Sequence, residues 1–302
     1  MSATSRPSAG SGEVGAALTS LPDSLHRRPS SPAIDGATLV VDPANEPEEL
    51  GGRGWRWISF STHQLAAGTA IARAGDEREV AVVVIEGIVT IDVAGHSFED
   101  IGGRASVFDS APSPLVLVAP GSPIEVSARD RATIAIAAAP GGELRETRLV
   151  DASTVRVEAR GSGATARTVR HLLPPEASAG RLIVVEVLTP GGNWSSYPPH
   201  KHDVDDPPRE RLLEELYYYR FRRPEGFAFQ RVYTADGALD QSLSPVDGDV
   251  VLVPRGYHPV GAPAGYDCYY LNVMAGPVRE WRFTLDPSHA WLMDWSPDAP
   301  RG

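Results

Sequence analysis

Cysteine is almost missing. Cys268 is the single thiol in 302 residues, so no disulfide can close within the chain. Positive charge is also in short supply: 28 Lys and Arg stand against 39 Asp and Glu, a formal net charge of −11. No stretch gathers the cations into a cluster. Affinity for nucleic acid or an anionic membrane surface is built on cationic contacts, so neither is an expected partner. No apolar run approaches the ~20 residues of a membrane-crossing helix. The first residues lack the apolar core of a secretory leader, and the expected location is the cytoplasm. There is no P-loop. Gly161-Ser-Gly163-Ala-Thr-Ala166, with Glu186 about twenty residues beyond, matches a dinucleotide fingerprint on paper. The helix it requires would run through Pro174-Pro175, and no βαβ series follows. That region reads instead as strands joined by a Gly-rich turn.

What is present is a β pattern. Hydrophobic residues make up 42% of the chain, enough for one large or two ordinary cores. Residues 1–33 are rich in Ser, Pro, Gly and Ala without sustained apolar period, and read as a disordered extension that carries no chemistry. From Ala37 onward, short β-branched runs alternate with turn residues. Thr38–Val41, Trp55–Phe60, Val80–Glu86, Ile88–Val93, Leu115–Val118, Ile124–Ser127 and Thr133–Ala138 are expected strands, with Glu86-Gly87 as a tight hairpin. After a joining segment come Leu182–Leu188, Glu215–Phe221, Phe227–Tyr233, Val250–Val253, Pro259–Ala262 and Tyr269–Met274. Ala119-Pro-Gly-Ser122 in the first set corresponds to Val253-Pro-Arg-Gly256 in the second. The expectation is an all-β protein with a weak internal repeat: a first barrel over 34–150 and a second over 151–302. The stretch between His202 and Glu215 reads as a loop with a short helical turn and a solvated charged face. The late Trp281, Trp291 and Trp295 are expected to dock on a barrel or a neighbouring subunit.

Three of the eight histidines carry the chemical signal. His200 and His202 are two apart, and residues i and i+2 of a strand share a face, so both imidazoles can reach one point. His258 follows the turn Val-Pro-Arg-Gly-Tyr, and a glutamate, 214 or 215, opens the strand Glu-Glu-Leu-Tyr-Tyr-Tyr. Alternation allows only one of those two carboxylates to point inward. Three imidazoles and a carboxylate suit a divalent ion such as Zn, Mn or Fe. Lys201, between the two histidines, should point outward. His63 and His96 in the first half are solitary and read as packed or solvent-facing residues, so that barrel is expected to lack a metal.

Gly192…His200-x-His202…Glu215 followed by Gly248-(x5)-Pro254-x-Gly256-x-His258 resembles the two motifs of the cupin superfamily. Gly-Gly-Asn-Trp-Ser-Ser-Tyr-Pro-Pro-His-Lys-His-Asp, Gly-Phe-Ala-Phe-Gln-Arg-Val-Tyr, Val-Pro-Arg-Gly-Tyr-His-Pro-Val and Tyr-Tyr-Leu-Asn-Val-Met-Ala-Gly narrow the likeness. They resemble the 5-deoxy-glucuronate isomerase family of inositol catabolism, related to 4-deoxy-L-threo-5-hexosulose-uronate ketol-isomerase. The likeness runs from about Asp35 to Trp295. It implies a bicupin of two double-stranded β-helix (jelly-roll) barrels. It also implies metal ligands His200, His202, Glu215 and His258, the family pattern selecting the glutamate directly before Leu-Tyr. The gap from His202 to that glutamate is longer than in the general cupin pattern.

The activity this implies is aldose–ketose isomerisation of 5-deoxy-D-glucuronate to 5-dehydro-2-deoxy-D-gluconate, by proton or hydride transfer between C1 and C2. The metal is the one cofactor expected, and a small sugar acid the one ligand, with a homo-oligomer as a further expectation. Glu215, Tyr217 and Arg231 are the expected catalytic residues. Arg231, Arg255 and Arg181 are the candidates for the substrate carboxylate; Gln230 and Arg231 face opposite ways, so only one of that pair can line a pocket. Tyr219, Tyr270 and Asn272 are further pocket candidates. The competing readings are a cupin dioxygenase using iron and a non-catalytic sugar-binding cupin.

Overall fold

The computed structural model describes residues 24–30, 37–144 and 146–295. Every strand pairing among them is antiparallel, and the strands form two barrels, each built from a large and a small sheet. In the first, a six-stranded sheet runs in the order Arg148–Val150, Leu115–Val118, Arg78–Glu86, Ala132–Pro140, Ser59–Leu65, Leu39–Val41. Its partner sheet comprises Ala70–Arg73, Ile124–Ala128, Ile88–Val93 and His96–Gly102. Alternation sorts the side chains. Val80, Val82 and Val84 enter a closed aliphatic core with Val89, Ile91, Val116 and Ile134, while Ala81, Val83 and Ile85 point the other way.

The second barrel's large sheet has seven strands, in the order His26–Arg27, Val250–Val253, Glu214–Phe221, Cys268–Ala275, Ile183–Thr189, Arg167–Leu173, Arg156–Arg160. Trp194–Ser195, Val260–Gly261, Phe229–Tyr233 and Asp240–Leu243 form the smaller sheet, and His200–Lys201 pairs with Thr284–Leu285. The two large sheets pack back to back. Ala81, Val83 and Ile85 share one cluster with Val184, Leu216, Tyr218 and Val273, and the Phe60 and Tyr218 rings lie 5.9 Å apart.

Buried carboxylates tie the halves together. Glu79 accepts the backbone N–H groups of Gly180 (2.6 Å), Arg181 and Leu182 (2.7 Å). Glu214 accepts those of Arg56 (2.7 Å) and Trp57 (2.8 Å). Glu186 takes Arg104 and the Ser113 hydroxyl, both at 2.7 Å. Each contact crosses from one half to the other, and that of Glu186 with Arg104 is a charge-assisted pair.

Several expectations change. The extension is not structureless throughout: over 24–30 the chain docks on the second barrel. His26–Arg27 pairs with Val250–Val251, Leu25 is fully buried, and His26 Nε2 lies 2.6 Å from Asp249. One leucine at an otherwise open sheet edge outweighs the local composition. Residues 1–23 lie outside the described residues. Glu86-Gly87 is not a hairpin: Arg78–Glu86 and Ile88–Val93 belong to different sheets, and Gly87 (φ +87°) makes the corner between them. A Cβ there would meet the Arg131 carbonyl at 2.5 Å. The strand expected at Trp55–Phe60 starts at Ser59, because the Trp55 indole closes a turn onto the Ile58 carbonyl (2.6 Å).

Candidate metal centre and cavity

The seven-stranded sheet presents Glu215, Tyr217 and Tyr219 on the inner face of one strand and Tyr270 and Asn272 on the next, Tyr217 opposite Asn272 and Tyr219 opposite Tyr270. His200 and His202 approach from the short strand that the late segment Thr284–Leu285 holds, and His258 from just beyond the Val250–Val253 strand. The imidazoles of His200, His202 and His258 place one nitrogen each within 4.8 Å of one another. Glu215 Oε2 lies 2.6 Å from His202 Nε2 and 3.0 Å from His258 Nε2. The four residues named from the sequence motifs thus converge on one point. Glu214 points the opposite way, into the clamp on Arg56 and Trp57.

The rings are oriented from behind. Nδ1 of His200 faces the Pro198 carbonyl (3.3 Å), that of His202 the Leu213 carbonyl (3.0 Å), and that of His258 the Gly256 carbonyl (2.8 Å). Donation from Nδ1 leaves the Nε2 lone pair directed inward, the usual arrangement of a metal-binding imidazole. Asn272 Nδ2 donates to Glu215 Oε1 and fixes the carboxylate. The donor set passes a direct test of fit. His258 Nε2 is buried with only the Glu215 carboxylate beside it, at 3.0 Å and outside hydrogen-bond geometry, and His202 has an acceptor at each ring nitrogen, which a neutral imidazole cannot satisfy. A cation at the common point answers both.

Electrostatics agree with the geometry. Burial would raise the Glu215 carboxyl, yet His258 and His202 hold it well below its ordinary range. Burial and the neighbouring imidazoles push His200 down to about 3, keeping it neutral. Burial would lower His202, but Glu215 outweighs it and the net shift is upward. Tyr217, whose hydroxyl lies 2.9 Å from Ser196 Oγ, is pushed far up by burial and by the charge of Glu215. It stays a protonated donor at neutral pH.

The cluster opens on a cavity of about 480 Å³ lined by Ser196, His200, Glu215, Tyr217, Tyr270 and Asn272. Val169, Val185, Val187, Arg160, Arg167 and the late residues Trp281, Phe283, Leu285 and Trp295 complete the wall. Arg231 is not there. Its strand buries Gln230, which accepts the Tyr219 hydroxyl at 2.8 Å, and turns Arg231 outward into an exposed pair with Asp240 (2.7 and 2.8 Å). Arg255 donates to the Gly51 carbonyl, and Arg181 to the carbonyls of Gly276 and Pro277. Trp281 and Trp295, expected to dock on a barrel or a neighbouring subunit, pack on the second barrel and line its cavity. Reading by sequence misses Arg160 and Arg167, which flank the Gly-rich turn.

Lys201 points away from the cluster, as its position between two inward histidines requires. Its ammonium bonds Asp203 (2.7 Å) and Glu210 (2.9 Å). Glu210 also accepts the backbone N–H of Asp203 and of Val204, at 2.7 and 3.0 Å. The loop after His202 therefore folds over one buried glutamate, closes a single turn onto the Asp206 carbonyl (Arg209 N at 2.9 Å, Glu210 N at 3.0 Å) and leaves Asp205 and Arg209 exposed to solvent, as expected of it. In the first barrel, His63 lies 2.9 Å from Ser61 Oγ, and exposed His96 rests edge-on against Phe98.

Among the described residues no helix is long and apolar enough to cross a membrane. The KduI/IolB family pattern matches residues 28–292. A protein of Geobacillus kaustophilus (strain HTA426) named 5-deoxy-glucuronate isomerase is 43% identical over 263 residues, covering 84% of this chain and 95% of its own length. Among solved structures, an IolB-like protein from Salmonella typhimurium LT2 matches with a TM-score of 0.84 at 41% identity, covering 89% of this chain and 98% of that one. Oxalate decarboxylase of Lactobacillus farciminis matches with a TM-score of 0.58 at 14% identity over 93% of this chain and 92% of its own, a likeness of fold alone.

Proposed function

The chain belongs to the KduI/IolB family, and from that premise we propose that it is an isomerase of 5-deoxy-glucuronate whose reaction takes place at the three-histidine centre. The observation that carries the reading is the buried convergence of His200, His202, His258 and Glu215 beside a cavity large enough for a six-carbon acid. Aldose–ketose exchange moves one hydrogen from C2 to C1 and a proton from the C2 oxygen to the C1 oxygen, and leaves the oxidation state of the molecule unchanged, so no external hydride acceptor is needed.

His200, His202, Glu215 and His258 would hold a divalent ion, with zinc, manganese and iron all compatible with three imidazoles and a carboxylate. When bound, such an ion supplies Lewis acidity toward adjacent carbonyl and hydroxyl oxygens. The remaining work belongs to side chains. Asn272 keeps the Glu215 carboxylate from rotating. The Tyr217 hydroxyl, held protonated and steadied by Ser196, donates to a substrate oxygen on which charge builds. Val185 and Val187 exclude water from the inner wall, which strengthens each of these contacts.

Chelation followed by reconstitution tests the reading. Metal content, read by elemental analysis, should fall and return together with conversion of 5-deoxy-glucuronate, in the absence of nicotinamide cofactor and of oxygen. Conversion that demands oxygen would favour the dioxygenase reading. No conversion by fully metal-loaded protein would end the isomerase reading.

A further inference from the structure

A sugar acid of this kind has two ends, and the histidine centre accounts for only one. Resting on the isomerase reading above, we infer that Arg167 anchors the carboxylate of the substrate and that Val169, Val185 and Val187 receive its deoxygenated C5, so that this strip of the sheet selects 5-deoxy acids.

Arg167 and Val169 share the inner face of the Arg167–Leu173 strand, two residues apart. Val169 pairs with Val187 on the next strand. Val187 and Val185 in turn lie opposite Tyr270 and Asn272, which lie opposite Tyr219 and Tyr217. Across the inner face the order is therefore guanidinium, valines, then tyrosines and asparagine beside the histidine cluster. All but Tyr219 line the one cavity. A six-carbon open chain spans about 6 Å from C1 to C6 by standard bond lengths, and the guanidinium and the histidine centre open on the same cavity.

Arg167 differs from the other arginine of the cavity. Arg160 is taken by Glu158 through two bonds, at 2.9 and 3.0 Å. Arg167 donates only to the carbonyls of Thr165 (2.9 Å) and Tyr197 (3.4 Å), and no carboxylate pairs with it among the described residues. Burial lowers its pKa, with Tyr270 opposing and the neighbouring charge of Arg160 adding to the fall. A planar fork fixed from behind by two carbonyls, with donors remaining, suits a carboxylate. The neighbouring valines offer no partner to a hydroxyl. In 5-deoxy-glucuronate the carbon next to the carboxylate carries none, so the apolar strip adjoins the anchor as C5 adjoins C6. A 5-hydroxyl would be buried there unpaired.

The test uses the metal-loaded full chain and two readouts. Turnover of 5-deoxy-glucuronate by the unaltered protein is measured first, and its absence defeats the isomerase reading. Binding of the C1-reduced acid, which has no carbonyl to isomerise, is measured separately by calorimetry. Arg167→Met should weaken that binding about 10- to 100-fold and raise KM by a similar factor with kcat changed far less, while Arg167→Lys recovers part of the loss. The unaltered protein should favour 5-deoxy-glucuronate over glucuronate about 10- to 100-fold in kcat/KM, and Val187→Thr should narrow that ratio. Thermal melting shows that each variant is folded. Unchanged acid binding in folded Arg167→Met overturns the anchor. Equal use of glucuronate by the unaltered protein, or an unaltered ratio in Val187→Thr, overturns the role of the valines.

Discussion

The two barrels can be laid over each other residue by residue. Val80 pairs with Val118 in the first and Glu215 with Val253 in the second, and each of these strands leads into a turn glycine with positive φ, Gly121 or Gly256. In that register Glu79 corresponds to Glu214, and both do the same work: each accepts backbone N–H groups of the other half, just before Ile183 in one case and Ser59 in the other. One residue further the halves part. Val80, Val82 and Val84 fill the first barrel where Glu215, Tyr217 and Tyr219 line the second, and Ile136 stands where Asn272 stands. The outward faces keep a shared joint, while the inward faces have become a sealed apolar core in one barrel and a polar cavity in the other. Burial of unpaired polar groups is costly, so the polar inward groups of the second barrel are hydrogen-bonded to one another or face the cavity, while the first barrel is closed by aliphatic packing.

The sharpest test of that contrast lies at the adjacent pair 214 and 215. Glu215→Gln should weaken metal binding by more than about 100-fold, beyond the cost of losing an outer-sphere partner, measured by competition with a chelator. Glu214→Gln should leave metal content intact and alter stability instead. Burial raises the Glu214 carboxyl to about 7, against the opposing pull of its backbone donors. A carboxyl raised in the folded state contributes stability that is present below its ordinary pKa near 4.5 and lost as pH rises through 7. Denaturant titrations between pH 5 and 8 should therefore show the variant losing less stability than the unaltered protein, by on the order of 2 kcal/mol. Metal loss in Glu214→Gln with retention in Glu215→Gln would reverse the strand register.

The barrels also differ in what covers their edges. A chain beginning at Ile34 lacks Leu25 and the short strand on Val250–Val251, and should be less stable by about 3 kcal/mol, the value of one fully buried leucine. Unchanged denaturation midpoints would remove the role given to that strand. The smallest effect comes from placing one substitution in both interiors. Val82→Thr should cost about 1–2 kcal/mol of stability for an unpaired hydroxyl and leave kcat/KM for every sugar acid as it was. A change in substrate preference from that position would make the first barrel part of the site.

Much of the centre is legible in the sequence alone. The His-x-His pair, the Pro-x-Gly-x-His turn and the parity of Glu214 and Glu215 locate it because strand alternation is a local property. Arg231 is misassigned for an equally local reason. Phe227–Tyr233 carries apolar residues and one polar residue on each face, with Phe229 exposed, and nothing within it says which face is inner. Arg167 carries no motif, only the alternation Arg167-x-Val169 answered by Val185-x-Val187. Trp281-Arg-Phe283-Thr-Leu285 also alternates, a signal of the cavity wall masked by its place in a Pro- and Asp-rich tail. Leu25 has no such pattern, since its burial depends on an edge formed more than two hundred residues away.

The pairing of His200–Lys201 with Thr284–Leu285 bears on when the protein becomes able to work. Strands of the first barrel all lie between Leu39 and Val150, so its core can close while the second is still being translated. The second barrel has both of its late partners far downstream: His26 must wait for Val251, and His200 for Leu285. At 5–20 residues per second, the 225 positions separating His26 from Val251 amount to about 10–45 s during which that segment stays unpaired. The histidine strand acquires its neighbour only once nearly all of the described chain has left the ribosome. A truncated nascent chain would therefore present a finished first barrel beside an unfinished second.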